Sequence, residues 1–149
     1  MKKANILIVD DNEGILETLS AILEEKGYRT DTAKNGREAI EKSKTNFYNV
    51  ALLDIRLPDI EGTKLLTKIE ETSPRMVKIM ITGYASLENA VEALNLGADA
   101  YIMKPVDPEN LLKVINEKLK EQREAEKMSQ EKVAKWIETR ARKLEKGQL

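Results

Sequence analysis

Apolar residues along this chain fall into two rhythms that alternate almost from end to end. Ile6-Leu7-Ile8-Val9 is an unbroken run rich in β-branched residues, as expected of a strand covered on both faces in a parallel sheet. Ile15, Leu16, Leu19, Ile22 and Leu23 then share one helical stripe, and Gly27 is placed to end it. Arg29 to Ala33 alternates weakly and is polar, which suits an edge strand. After a turn or cap at Asn35-Gly36, a short helix carries Ala39 and Ile40. Val50-Ala51-Leu52-Leu53 predicts a second buried strand that runs out at Asp54, and Pro58 and Gly62 bracket the loop beyond it. Leu65, Leu66 and Ile69 mark a third helix, Val77 to Ile81 a fourth strand ending at Thr82-Gly83, and Ala90, Val91 and Leu94 a fourth helix stopped by Gly97. Ala100 to Met103 forms a fifth strand ending at Lys104-Pro105. The last helix begins near Pro108, with Leu111, Leu112, Ile115 and Leu119 inward.

Five strand–helix repeats imply a parallel sheet with helices on both faces. Right-handed crossovers leave few strand orders. The polar second strand belongs at an edge and the apolar first and third inside. A doubly wound, flavodoxin-like sheet of order 2-1-3-4-5 satisfies both conditions. That order makes the first and third strands neighbours, with the topological switch point between them. Ligands in open α/β sheets bind outside the carboxyl ends of the strands at such a point.

Composition narrows the chemistry. The 149 residues suit one compact domain with an appendage, and 41% apolar residues suffice for a core. Charged residues make up 34%, yet the net charge is -1, so no global attraction to nucleic acid or membrane is indicated. The absence of cysteine excludes disulfides and thiolate chemistry, and the absence of histidine excludes imidazole bases and ligands. No apolar run is long enough to span a bilayer, and the apolar stretch after Met1 is too short for a signal peptide, so a cytoplasmic location is expected.

What remains is a set of polar residues at the strand ends: Asp10 and Asp11, Asp54, Thr82 and Lys104. Singly, each has an ordinary structural role. The two aspartates would cap the first helix, Asp54 would open a turn, Thr82 would end a strand, Lys104 would be solvated, and Tyr101 would be a half-buried strand aromatic. Together, at one crevice, they compose a phosphoryl-transfer site. Three close carboxylates repel, raising the pKa of at least one, and a hard cation with oxygen ligands, Mg²⁺, resolves the conflict. A carboxylate beside Mg²⁺ can attack phosphorus and form an aspartyl phosphate. Asp54, alone at the end of a central strand, is the best nucleophile. Asp10 and Asp11 suit the metal, Lys104 supplies a point charge to a phosphate oxygen, and Thr82 donates a hydrogen bond to another.

At this spacing Asp10-Asp11, Asp54, Thr82 and Lys104-Pro105 resemble the receiver domain of two-component response regulators, the CheY-like fold. The segments Ile6 to Asp11, Leu53 to Asp59 and Tyr101 to Pro105 are very similar to its motifs, and the resemblance covers about residues 4 to 120. It implies phosphotransfer from a partner histidine kinase to Asp54. The Arg56 main-chain carbonyl would join Asp10, Asp11 and Asp54 on the metal, and the Lys104–Pro105 bond would be cis. Thr82 and Tyr101 would act together as the switch that alters the face around the fourth helix, fifth strand and fifth helix, for an effector protein or a homodimer partner. Arg56 and Tyr84 occupy positions that tune phosphoryl lifetime in that family. A domain of this kind is not a turnover enzyme. Without histidine in the chain, a phosphohistidine donor must lie on another protein.

The receiver is expected over residues 1–120 and a C-terminal helical extension over 121–149. The extension lacks Pro and is rich in Glu, Lys, Arg and Ala, so the last helix is expected to run on into it. From Lys120 to Lys146 there are nine basic and six acidic residues, a balance of +3, leaving -4 on the first 119. Val133, Ile137 and Leu144, with Trp136 and Ala141 beside them, make a partial apolar stripe, short of the heptads a sustained coiled coil needs. The extension reads as a solvated helix or as a dimer or partner-docking helix, with Trp136 and Ile137 as anchors. Interspersed Glu138 and Glu145 and the lack of a recognition motif argue against direct nucleic-acid binding. Four functions compete: a phosphorylated receiver acting through protein contacts, a receiver-shaped binding module, the input part of a longer transcription factor, and an Asp-nucleophile hydrolase. Arg56, standing where such hydrolases place a second aspartate, weakens the last.

Overall fold

The computed structural model describes residues 4–83 and 87–147. Five strands, β1 (Asn5–Val9), β2 (Arg29–Ala33), β3 (Val50–Asp54), β4 (Val77–Thr82) and β5 (Ala100–Met103), alternate with five helices. These are α1 (Glu13–Glu25), α2 (Gly36–Thr45), α3 (Gly62–Thr72), α4 (Leu87–Asn95) and α5 (Pro108–Glu145). All strand pairs are parallel, in the order β2-β1-β3-β4-β5. The architecture is therefore the one expected from patterning, with polar β2 at an edge.

Alternate residues of each strand feed two cores. Ile6, Ile8, Val50, Leu52, Ile79 and Ile81 pack with Leu16, Leu19 and Leu23 of α1 and with Leu111, Ile115 and Leu119 of α5. Leu7, Val9, Ala51, Leu53 and Met80 face Ala39 of α2, Leu65, Leu66 and Ile69 of α3, and Ala93 of α4. Burial on both faces is why the central strands read as unbroken apolar runs. Gly27 and Gly97 follow α1 and α4 with φ of 91° and 111°, the left-handed conformation that ends helices.

Two features depart from the patterning. Val91 and Leu94 of α4 are about half exposed, whereas Ala93 is fully buried; of these three it is the small residue that meets the core. Within β4, Lys78 is 1% exposed. Its Nζ donates to the Met76 carbonyl at 2.6 Å and pairs with Glu70 of α3 at 2.5 Å, which offsets the cost of burying an ammonium. As the composition of the extension leads one to expect, α5 is one continuous helix of 38 residues, about 57 Å long at 1.5 Å per residue. Its last anchor to the sheet is Gln122, whose Nε2 donates to the carbonyls of Arg75 at 2.8 Å and Asn49 at 3.3 Å. Beyond it the described helix is exposed throughout, including Met128, Val133, Trp136, Ile137 and Leu144. No helix of the described residues is long and apolar enough to cross a membrane.

Gly62 lets the chain turn back after β3. A Cβ there would stand 2.5 Å from Ile55 Cα and 2.6 Å from the Asp54 carbonyl oxygen. Because both are backbone atoms, Gly62→Ala is expected to destabilise the fold by about 2–3 kcal/mol, the scale of overpacking a tight site. A thermal melt showing an unchanged Tm would contradict this.

Candidate phosphorylation site

The site is built by strand register. Val9 lies opposite Leu53 on the neighbouring strand, so the next residues, Asp10 and Asp54, emerge side by side at the carboxyl edge of the sheet. Asp10 is 3% exposed and Asp54 7%, whereas Asp11 is exposed. Asp10, Asp11 and Asp54 each offer a carboxylate oxygen, all within 4.8 Å of one another. Neither aspartate caps α1, because that role falls to Asn12, whose side chain accepts the Ile15 N–H. Instead Asp10 accepts the Asn12 N–H at 2.9 Å, which orients its carboxylate.

Lys104 answers this negative charge from across the crevice. The Lys104–Pro105 peptide bond is cis. The Lys104 Nζ lies 2.8 Å from Asp10 Oδ2 and 3.5 Å from Asp54 Oδ2. Its pKa is raised: burial pulls it down, but the hydrogen bond to Asp10 and the charge of Asp54 outweigh that. Asp54 is also raised, first by burial and then by the neighbouring charge of Asp10, against the lowering pull of Lys104. The repulsion expected among clustered carboxylates thus falls on the central one. Arg56 follows in the loop, where its N–H donates to Asp54 Oδ1 at 3.4 Å and its main chain pairs with that of Glu61 in an isolated antiparallel β-bridge.

Thr82 is fully buried at the end of β4, and its carbonyl accepts the Lys104 N–H at 2.8 Å, tying the two strand ends together. Tyr101, on β5, packs against the core on the α2–α4 side. Its hydroxyl is buried without a hydrogen-bond partner among the described residues, and burial raises its pKa. Tyr84 lies outside the described residues.

The family model for the response regulator receiver domain matches residues 6–116. This chain belongs to the response regulator receiver family. A receiver domain crystal structure from Methanospirillum hungatei JF-1, CheY-like, is 53% identical with a TM-score of 0.81, covering 83% of this chain and 99% of that one. The solution structure of the beryllofluoride-activated NtrC4 receiver domain dimer is 44% identical with a TM-score of 0.76, covering 79% and 98%. Among curated proteins, the transcriptional regulatory protein ZraR of Klebsiella oxytoca is 36% identical over 118 residues, 79% of this chain but 27% of that protein. The chain thus spans about a quarter of the length of the curated relatives it first matches. It is a receiver domain of two-component signalling with an acidic cluster of the kind that can hold a metal.

Sequence reasoning placed Asp10, Asp11, Asp54, Thr82 and Lys104 at one sheet edge, and they are there. It missed Asp59, whose carboxylate caps α2 from the neighbouring loop. Nothing in local spacing shows that contact, because it joins residues 22 and 23 positions apart.

Two consequences are measurable. The unfolded chain holds Asp54 at an ordinary carboxylate pKa, so the raised native value means burial of its charge opposes folding at neutral pH, and that opposition fades as pH falls through the raised pKa. In EDTA, Asp54→Asn is expected to raise the Tm at pH 7, with the gain shrinking towards about pH 4, near the unperturbed value; a pH-independent difference would contradict this origin. Tyr101→Phe removes a hydroxyl without a partner and is expected to hold or raise the Tm; a clear fall would mean that the hydroxyl is satisfied in solution.

Proposed function

We propose that this receiver accepts a phosphoryl group on Asp54 from a histidine kinase, with Mg²⁺ held by Asp10, Asp11, Asp54 and the Arg56 main-chain carbonyl. The observation that carries the reading is the meeting of three carboxylates within 4.8 Å with the Lys104 ammonium. An all-oxygen donor set of clustered carboxylates suits Mg²⁺. When bound, the ion would neutralise charge that develops on the phosphoryl oxygens. The protein does the rest. An Asp54 carboxylate oxygen forms a bond to phosphorus as the donor's bond to phosphorus breaks and the donor leaves with the electron pair. Lys104, held by Asp10, is positioned to transfer its contact to a phosphoryl oxygen, and Thr82 donates a hydrogen bond to another. Hydrolysis restores the carboxylate, so the domain catalyses its own switching and turns over no other substrate.

An apolar groove of about 490 Å³ beside Lys104, lined by Ile15, Leu19 and Ile22 of α1 and Pro105, Val106 and Pro108, supports docking of the kinase next to the nucleophile. On the output side, Thr82 moving to the phosphoryl group and Tyr101 turning further inward would bias the α4–β5–α5 face between two states. The exposed Val91, Leu94 and Met103 on that face supply apolar area for an effector or a second copy. The NtrC4 receiver named above is an activated dimer, which favours the homodimer for this chain. We read residues 1–120 as the receiver and 121–149 as an extension through which the dimer is also made, with Trp136 and Ile137 at its centre. Neither nucleic acid nor membrane is a direct partner, and the setting is the cytoplasm.

Incubation with Mg²⁺ and acetyl phosphate is expected to add one phosphoryl mass to the wild type and none to Asp54→Asn. Labelling of Asp54→Asn at the same site would sink the nucleophile assignment. Lys104→Ala is expected to keep labelling while losing the conformational response, read by NMR of the α4–β5–α5 face. By light scattering the phosphorylated chain is expected at twice the mass of one chain, and the double substitution Trp136→Ala, Ile137→Ala is expected to shift it towards the monomer. A strict monomer in every state would exclude the dimer.

A further inference from the structure

We propose that Asp59 is a positioning residue for the metal half of this site, acting by fastening the loop that carries Arg56 to the N-terminus of α2; this rests on the function proposed above. The loop between β3 and α3 is closed at its base, where the Gly62 N–H donates to the Ile55 carbonyl at 2.7 Å and the main chains of Arg56 and Glu61 form an antiparallel β-bridge. Its tip is held by another element altogether. Asp59 Oδ1 accepts the Gly36 N–H at 2.8 Å and Oδ2 accepts the Arg37 N–H at 2.9 Å.

Helix α2 already has its own cap. The Asn35 side chain accepts the Glu38 N–H at 2.8 Å. The two carboxylate oxygens of Asp59 take the first-turn donors that Asn35 leaves, at the helix end where an anion is favoured. These same main-chain bonds hold the Asp59 carboxyl below the usual range, so it stays charged at neutral pH. The approach is close: a Cβ on Gly36 would fall 2.0 Å from Ile60 Cγ2.

Position matters because Mg²⁺ demands near-ideal octahedral geometry. A main-chain ligand on a loop held at base and tip is preorganised, whereas a loose loop must be ordered at the moment of binding. Linkage makes the effect reciprocal, so filling the metal site must in turn steady the Gly36 and Arg37 amides.

The test uses the full chain as wild type, Asp59→Ala, Asp59→Asn and Asn35→Ala, titrated calorimetrically with MgCl₂ and followed by amide NMR, with Tm measured in EDTA. Asp59→Ala is expected to weaken Mg²⁺ binding by about tenfold, the low end for partners outside the ligand shell. Asp59→Asn, which keeps one acceptor oxygen, should fall between. Asn35→Ala, which weakens α2 without touching the loop, should lower the Tm and leave the Mg²⁺ Kd unchanged. Mg²⁺ should move the Gly36 and Arg37 amide resonances in the wild type and not in Asp59→Ala. A wild-type Kd in Asp59→Ala would overturn the inference. So would an equal loss in Asn35→Ala, because the effect would then belong to α2 stability. A wild type that binds no Mg²⁺ would overturn the phosphorylation reading itself and the inference with it, before any variant is compared.

Discussion

Two buried carboxylates forced side by side are the constraint around which the rest of this receiver is arranged. Parallel pairing of β1 with β3 brings Asp10 next to Asp54, and both are nearly excluded from solvent. Charges within 4.8 Å at an effective dielectric of about 20 repel by on the order of 3 kcal/mol. Neither residue can retreat, because the residues before them are locked into a sheet covered on both faces. The Lys104 ammonium therefore spans the crevice to both.

Around that point the fold assigns each polar group a separate task. Asn12 caps α1, which leaves Asp10 and Asp11 available to the crevice. Asn35 and Asp59 divide the first turn of α2 between them, joining that helix to the loop beyond Asp54. The Thr82 carbonyl accepts the Lys104 N–H and sets the height of β5 against β4. Lys78 pairs with Glu70 deep in β4, far from the carboxyl edge, so its charge is spent on packing and not on the site. Each arrangement keeps a buried donor or charge from competing for the reacting groups.

The opposite edge of the sheet is governed by α5. Its first three turns belong to the core through Leu111, Ile115 and Leu119. Gln122 clamps the helix to Asn49 and Arg75, the residues just before β3 and near the start of β4. Beyond Gln122 the helix carries exposed apolar side chains and a net positive balance, away from an acidic body.

The five elements of each type, their order and the polar set at the strand ends were legible in the sequence. Strands buried on both faces must read as apolar runs, and a ligand site at a switch point needs its polar residues at run ends. Helix ends were legible too, at Gly27 and Gly97, because few other residues tolerate positive φ. Tertiary structure alone decided the rest. Val91 and Leu94 face solvent because Ala93 is what fits against the core. Asn12 rather than the adjacent aspartates caps α1 because the register of β1 against β3 turns Asp10 towards Asp54. Asp59 reaches α2, and Lys78 finds Glu70, through contacts between elements. Periodicity reports which face of one element is apolar; it carries no information about which side chain of another element will stand opposite, and that pairing sets the charges and hydrogen bonds on which the site depends.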